Sequence, residues 1–262
     1  MRMTFCLILL AHSLFAQQYR LAPPKIRCEQ VFFENNTEVR LFFDLKGARI
    51  RYTLDGTEPT ALSALYKKPI RVNKDVRLRA RVFHADYLPS EIAALDVFRR
   101  GTPPVPPLRL GHAPADEYGG AASNYDRLID GKTGSDDLHD GAWIGLSGKP
   151  LDVYATWKKE QQIRVVKLST LTNTGAWIFP PTKISLYVAG EDAQYRLVKE
   201  EVLTTPGNSL KPEEGRHTYV LRFPPERCTR VCVVAEPWGN LPDWHPGKGA
   251  PAWLFVDEIA FE

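Results

Sequence analysis

Hydrophobic and polar positions alternate with period two along three runs of the first hundred residues. Val39, Leu41 and Phe43 alternate with Arg40 and Phe42. Ile50, Tyr52 and Leu54 alternate with Arg49, Arg51 and Thr53. Val76, Leu78, Ala80 and Val82 alternate with Arg77, Arg79 and Arg81. Period two sends successive side chains to opposite faces, so each run predicts a strand with one buried and one wet face. Between the second and third runs lies Asp55-Gly56-Thr57-Glu58-Pro59, a turn signal with a glycine that tolerates left-handed backbone. No segment here carries a three-turn helical stripe, so the block predicts a small β-sandwich. Arg77, Arg79 and Arg81 face outward, either as a solvated face that blocks edge aggregation or as a patch for an anionic ligand.

Past residue 108 the chain is again β-rich. Expected strands are 163–171, 183–188, 195–202, 217–223, 230–235 and 254–261. The runs around Val165-Val166 and Val231–Val234 are apolar enough for burial on both faces. Long loops between them carry Trp143, Trp177, Trp238, Trp244 and Trp253. This predicts a second sandwich with functional loops at one end. Between the blocks, residues 103–107 hold four prolines, which cannot form a helix or central strand and read as a stiff, extended connector. The expected organisation is a leader over 1–16, one sandwich over 22–98, a linker over 99–108 and a second sandwich over 109–262. The fold class is all-β.

Composition narrows the functions. A chain of 262 residues has room for one (β/α)₈ barrel enzyme, but the strand pattern uses that length differently. The net charge of +3 points to neither a nucleic-acid nor a polybasic membrane partner. Arg2, the apolar run from Thr4 to Ala11 and the small Ala16 before Gln17-Gln18 form a secretory signal pattern, too short for a spanning helix. The expected location is therefore outside the cytoplasm: periplasm, cell surface or medium. Cys28, Cys228 and Cys232 follow the leader. On a strand, Cys228 and Cys232 would lie about 13 Å apart on one face, beyond disulfide reach. They read as small buried apolar residues.

Two resemblances follow from particular residues. Ile50-Arg-Tyr-Thr-Leu-Asp-Gly-Thr-Glu-Pro-Thr60, with Ser63, Tyr66, Pro69-Ile70 and Leu78-Arg-Ala80, resembles the small immunoglobulin-like domain at the C-terminus of chitobiases and β-hexosaminidases. The likeness covers about residues 24–97 and implies a non-catalytic accessory. Asn124-Tyr-Asp-Arg-Leu-Ile-Asp-Gly131, Trp143-Ile-Gly145, Trp177-Ile-Phe-Pro-Pro181, Ile184-Ser-Leu-Tyr-Val188 and Trp253-Leu-Phe-Val-Asp-Glu-Ile259 together resemble the discoidin, or coagulation factor 5/8 type C, domain. That family overlaps carbohydrate-binding module family 32 and implies a jelly-roll β-sandwich over about 110–262. Gly190-Glu191-Asp192 stands where members often have Asp-Gly.

Three chemistries are open to these residues. Glycoside hydrolysis needs carboxyl groups flanking a bond. The Asp-Glu pairs here, Asp116-Glu117 and Asp257-Glu258, have no strand-then-helix setting, so no enzyme is expected. The discoidin resemblance implies a structural calcium ion held by Asp130 and Glu258 carboxylates, Ser135 and the Lys132 carbonyl. The alternative is that Asp130 caps its turn and Glu258 is a surface strand residue. A sugar site is read in Pro237-Trp-Gly-Asn-Leu-Pro-Asp-Trp-His-Pro-Gly-Lys-Gly249, where Trp238, Trp244, His245 and Lys248 share a Gly/Pro-rich loop. Indoles stack on the C–H faces of pyranoses, and polar neighbours bond the hydroxyls. The alternative is that Trp238 and Trp244 pack down to hold the loop. Trp143 and Trp177 are open between site and core, and Trp253 reads as core. The expected function is an exported, non-catalytic glycan-binding protein. Its partners would be N-acetylhexosamine- or galactose-containing glycans and, with them, glycoside hydrolases. The competing readings are a protein-interaction or adhesion module and a glycoside hydrolase-related protein.

Overall fold

A computed structural model describes residues 19–100, 106–120, 125–135, 137–203 and 211–262. The leader 1–16, linker residues 101–105 and Asn124 of the discoidin-like motif lie outside the described residues. Among the described residues there are strands and three short 3₁₀ turns but no α-helix.

The first block forms eight strands. They are β1 (Lys25–Cys28), β2 (Phe32–Phe33), β3 (Thr37–Phe42), β4 (Arg49–Thr53), β5 (Ala64–Leu65), β6 (Ile70–Val72), β7 (Val76–Phe83) and β8 (Ala93–Arg99). They build two sheets, β1-β3-β6 and β2-β8-β7-β4-β5. The alternation is realised as read: β7 buries Val76, Leu78, Ala80 and Val82 and turns its arginines outward. The register of β4 on β7 places Ile50 opposite Val82 and Tyr52 opposite Ala80. After β4 the turn is closed by Asp55, whose Oδ1 accepts from the N–H and the hydroxyl of Thr57 at 3.1 and 2.6 Å. Gly56 there has φ 88°, which a side chain would resist.

The second block forms β9 (Leu108–Leu110), β10 (Ile144–Ser147), β11 (Leu151–Thr172), β12 (Lys183–Ala189), β13 (Arg196–Val202), β14 (Gly215–Glu236) and β15 (Trp253–Phe261). The path is β10-β15-β11-β14-β12-β13, with β9 added to β11. Two strands are far longer than expected: β11 and β14 each run 22 residues. Their shared ladder shifts register between Thr156 and Gln161 and between Ile163 and Val165, and such bulges bend long strands. β11 pairs with β9 near its start and with β15 near its end. The core takes Leu146, Val153, Leu168, Leu186, Val233 and Val256 from five different strands. Cys28, Cys228 and Cys232 are free, and the last two are buried on β14.

By packing, the chain divides into two compact units. Of the described residues, the smaller holds 19–26, Leu41–Lys68 and Leu78–Leu95; the larger holds Arg27–Arg40, Pro69–Arg77 and those of 96–262. The loops 173–182 and 237–252, the loop 130–135 and β15 all belong to the larger unit.

Candidate functional site

Two loops meet beside the start of β15. The first, 173–182, opens with a 3₁₀ turn, Thr174–Ala176, capped by Asn173, whose Oδ1 accepts from Ala176 N–H. Glu214 accepts from the N–H and the hydroxyl of Thr174 and pins the turn from outside. Trp177 follows at φ 66°, a left-handed backbone that costs a bulky residue energy. Its carbonyl accepts from Trp253 N–H at 2.9 Å, which fastens the strained residue to β15. The conformation presents the indole to solvent, with Trp177 41% exposed.

The second loop, 237–252, is Gly/Pro-rich yet has a core of its own. Phe179, Trp238, Leu241 and Ala252 form a buried cluster beneath it. Leu241 and Ala250 close the loop backbone at 2.8 Å, and Ala252 N–H donates to Gly239 O at 2.8 Å. A Cβ on Gly247 would lie 2.8 Å from Trp177 Cζ2, so a glycine is needed where this loop meets the first.

His245 joins the two loops. Its Nδ1 accepts from Gly247 N–H at 3.0 Å, so its other nitrogen, Nε2, carries the proton and donates to Thr174 O at 2.8 Å. The ring is 6% exposed. It stands edge-on to Trp177, with centroids 6.1 Å apart and planes at 89°, and to Trp244 at 5.7 Å and 69°. The result is a pair of partly exposed indoles, Trp177 and Trp244, flanking a buried imidazole. Trp244 is 38% exposed, and its inner side rests on Phe179 at 6.0 Å. Lys248 and Asp243 stand at the rim in an exposed ion pair of 3.0 Å.

The four residues read as a sugar site therefore separate. Trp244 and Lys248 are at the surface. His245 has both nitrogens occupied and acts as a brace. Trp238 is buried at 4% exposure against Phe179. Trp177, left open between core and site by the sequence, belongs with Trp244. Its signal is visible only once φ and exposure are known. Trp143 is core, and its indole N–H donates to Ser135 O at 3.0 Å.

The four residues read as a calcium site lie around the loop 130–135. Asp130 Oδ1 accepts from Lys132 N–H at 2.8 Å, the turn-capping arrangement. Lys132 Nζ lies 3.9 Å from Asp130 Oδ2. Ser135 N–H donates to Asp140, and the Ser135 hydroxyl accepts from Asp137 N–H. Glu258 is fully buried, not a surface strand residue: its Oε2 accepts from Gly131 N–H at 2.9 Å, while Oε1 has no partner among the described residues. Burial pushes its carboxyl up to about 9 despite that hydrogen bond. Asp257, adjacent and also fully buried, accepts from Gly134 N–H and lies beside the Ser169 hydroxyl. Among the described residues no group of three or more His, Cys, Asp and Glu side chains converges. A cation here would rely on carbonyl oxygens as well as Glu258. The unpaired Oε1 is what fits such an ion.

Residues 30–94 match the family model of the chitobiase/beta-hexosaminidase C-terminal domain. No curated protein matches the chain. Solved structures similar to the chain include CpGH89CBM32-5 from Clostridium perfringens, in complex with GalNAc-beta-1,3-galactose. It is 16% identical with TM-score 0.38, covering 59% of this chain and 94% of that one. Another is chitosan-binding module 1 of a chitosanase/glucanase from Paenibacillus sp. IK-5, at 13% identity and TM-score 0.37, covering 60% and 94%. A fucosidase from Ruminococcus gnavus is similar over 59% of this chain and only 24% of its own, at 11% identity and TM-score 0.35. Among the described residues no helix is long and apolar enough to cross a membrane.

Proposed function

We propose that the protein is an exported, non-catalytic carbohydrate-binding protein, and that glycan docks on the Trp177–Trp244 platform. The observation that carries this is the pair of indoles held partly exposed on either side of the fully bonded His245. A stable loop core has no need to keep two indoles in water, and aromatic faces so placed match the C–H faces of a pyranose. Lys248 and Asp243 supply a donor and an acceptor at the rim. The accessory-domain match at residues 30–94 supports the same reading, since that domain type is named for glycan-processing enzymes. Asp257 and Glu258 are both sealed from solvent, so that acidic pair has no access to a glycosidic bond.

A calcium ion is the second part of the reading, with a structural role. It would be held by Glu258 Oε1, Asp130, Ser135 and the Lys132 carbonyl, tying the loop 130–135 to β15. Partner glycoside hydrolases would supply the chemistry on the glycan this protein presents.

The test is a glycan array carrying N-acetylhexosamine- and galactose-type sugars, probed with wild type and Trp244→Ala. Wild type should bind, and the variant should lose about tenfold or more while its melting temperature is kept. Undiminished binding by a folded Trp244→Ala protein would count against the platform.

A further inference from the structure

Beside the platform lies a cleft of about 300 Å³. Trp238, Pro180 and Pro181 give it apolar wall, and His217, Tyr219 and Lys211 give it polar wall. Trp238 is thus buried toward Phe179 yet contributes to a cavity on another side. Phe179 packs on Trp238 at 5.2 Å and on Trp244 at 6.0 Å, so cleft and platform share one aromatic support.

The polar wall is held in place. Lys211 Nζ is 3.1 Å from Glu214, the same carboxylate that pins the Thr174 turn. His217 Nε2 donates to Glu213 O at 2.8 Å. The Tyr219 phenol is neutral at physiological pH, as any tyrosine is, and burial pushes it further up, to about 12. Thr172, also lining the cleft, has a buried hydroxyl with no partner among the described residues. Lys211 is answered by the Glu214 carboxylate and Glu213 also lines the cleft, so among the described residues the wall has no positive surplus that would call for an anion. The cleft offers an indole and prolines on one side and hydroxyl and imidazole groups on the other. The volume is at the lower limit of small-molecule sites, enough for one ring but not for a chain.

We infer that this cleft is a second glycan subsite that takes one neutral pyranose residue, so that the domain grips a glycan at two points. The choice of sugar as ligand rests on the carbohydrate reading of the platform; the cleft geometry does not. Two linked contacts raise overall affinity without new chemistry, because the second binds at high effective concentration.

The experiment follows the indole N–H signals of ¹⁵N-labelled protein, assigned by single Trp→Phe variants, during titration with N,N′-diacetylchitobiose and with lactose at millimolar concentration. In wild type, at least one sugar should move both the Trp238 and Trp244 signals. In Trp244→Ala the Trp238 signal should still move. In a His217→Ala/Lys211→Ala variant the Trp244 signal should move while Trp238 stays still. Trp238 movement that vanishes in Trp244→Ala would be a relay through Phe179 and would overturn the cleft. A silent Trp238 with a responsive Trp244 would overturn it too, leaving the platform intact. A responsive Trp238 with a silent Trp244 would keep the cleft and reject the platform. Silence of both would reject both.

Discussion

Lys167 and Asp75, ninety-two positions apart, form an ion pair of 3.2 Å in which the lysine side chain is wholly buried. The ammonium is also bonded to Glu262 and to Arg99 O at 3.0 Å, and it lies 5.0 Å from the Phe98 ring centroid. All three donor positions are thereby used, which is the condition for a buried charge to be tolerated. Asp75 in turn accepts from Arg99 N–H, so β8 and β11 share one charge network.

That network is asymmetric under mutation. The carboxylates of Asp75 and Glu262 still reach solvent, while the ammonium does not. Lys167→Met should therefore cost less than about 2 kcal/mol, because both acids can rehydrate. The double change Asp75→Asn/Glu262→Gln strands a buried cation and should cost about 3–5 kcal/mol. Urea unfolding midpoints of the three proteins decide this. Equal losses for the single and the double change would mean that the lysine is not sealed as described.

Gly247→Ala should weaken glycan binding although residue 247 has no part in contacting sugar. The added Cβ would meet Trp177 at 2.8 Å, and the indole ring has to give way. Displacement of about an ångström in a stacking platform costs on the order of tenfold in affinity or more. His245→Ala should act in the same direction by releasing Thr174 O and both indole edges. Array binding measured beside near-UV circular dichroism separates a shifted platform from an unfolded loop.

The period-two runs mark β3, β4 and β7, because one buried face per strand leaves its mark in the residue order; β1, β2, β5 and β6 are too short and β8 too irregular in burial to carry one. The union of 217–223 with 230–235 was not legible. Pro224-Pro225 looks like a break, since proline lacks the N–H a ladder needs. In the fold the prolines fall where β14 changes register on β11, between the pairs Arg222–Val165 and Glu226–Ile163. β12 pairs with β14 only from residue 230 onward, so at the prolines the ladder asks nothing of that edge. The site was half legible for a similar reason. Composition marks the loop 237–252 as aromatic and polar, but whether an indole faces in or out depends on Phe179, which belongs to another loop. Trp238 and Trp244 are six residues apart and have opposite fates.

The buried cysteines give a pH signature. Burial pushes the thiols of Cys228 and Cys232 up to about 11 from an ordinary value of 9.0. An acid whose folded pKa is raised holds its proton in the folded state while the unfolded chain releases it. Its stability contribution is whole below pH 9 and is lost as pH climbs from 9 to about 11. The difference in melting temperature between wild type and a Cys228→Ala/Cys232→Ala variant should be constant from pH 7 to 8.5 and should shift against wild type above pH 9. A pH-independent difference would show that both thiols ionise as freely in the fold as outside it.

Calcium should stabilise the protein, and Glu258 should be the residue that makes it do so. A ligand that binds only the folded state at a hundred times its dissociation constant adds about 2.7 kcal/mol, which for a domain of this size raises the melting temperature by roughly 5–10 °C. Chelation should remove that increment. Glu258→Gln keeps a carbonyl oxygen to accept from Gly131 N–H but removes the carboxylate charge beside the loop 130–135. The variant should match chelated wild type in melting temperature and show no rise when calcium is added, because its amide needs no counter-ion in a buried position. Asp257→Asn is the control: Asp257 bonds Gly134 and lies 4.0 Å from Arg216, so its loss should lower stability in both conditions alike. Identical melting of wild type with and without calcium would remove the ion from the description. Glu258 would then be a buried carboxylic acid that holds its own proton and fastens Gly131 to β15 without help.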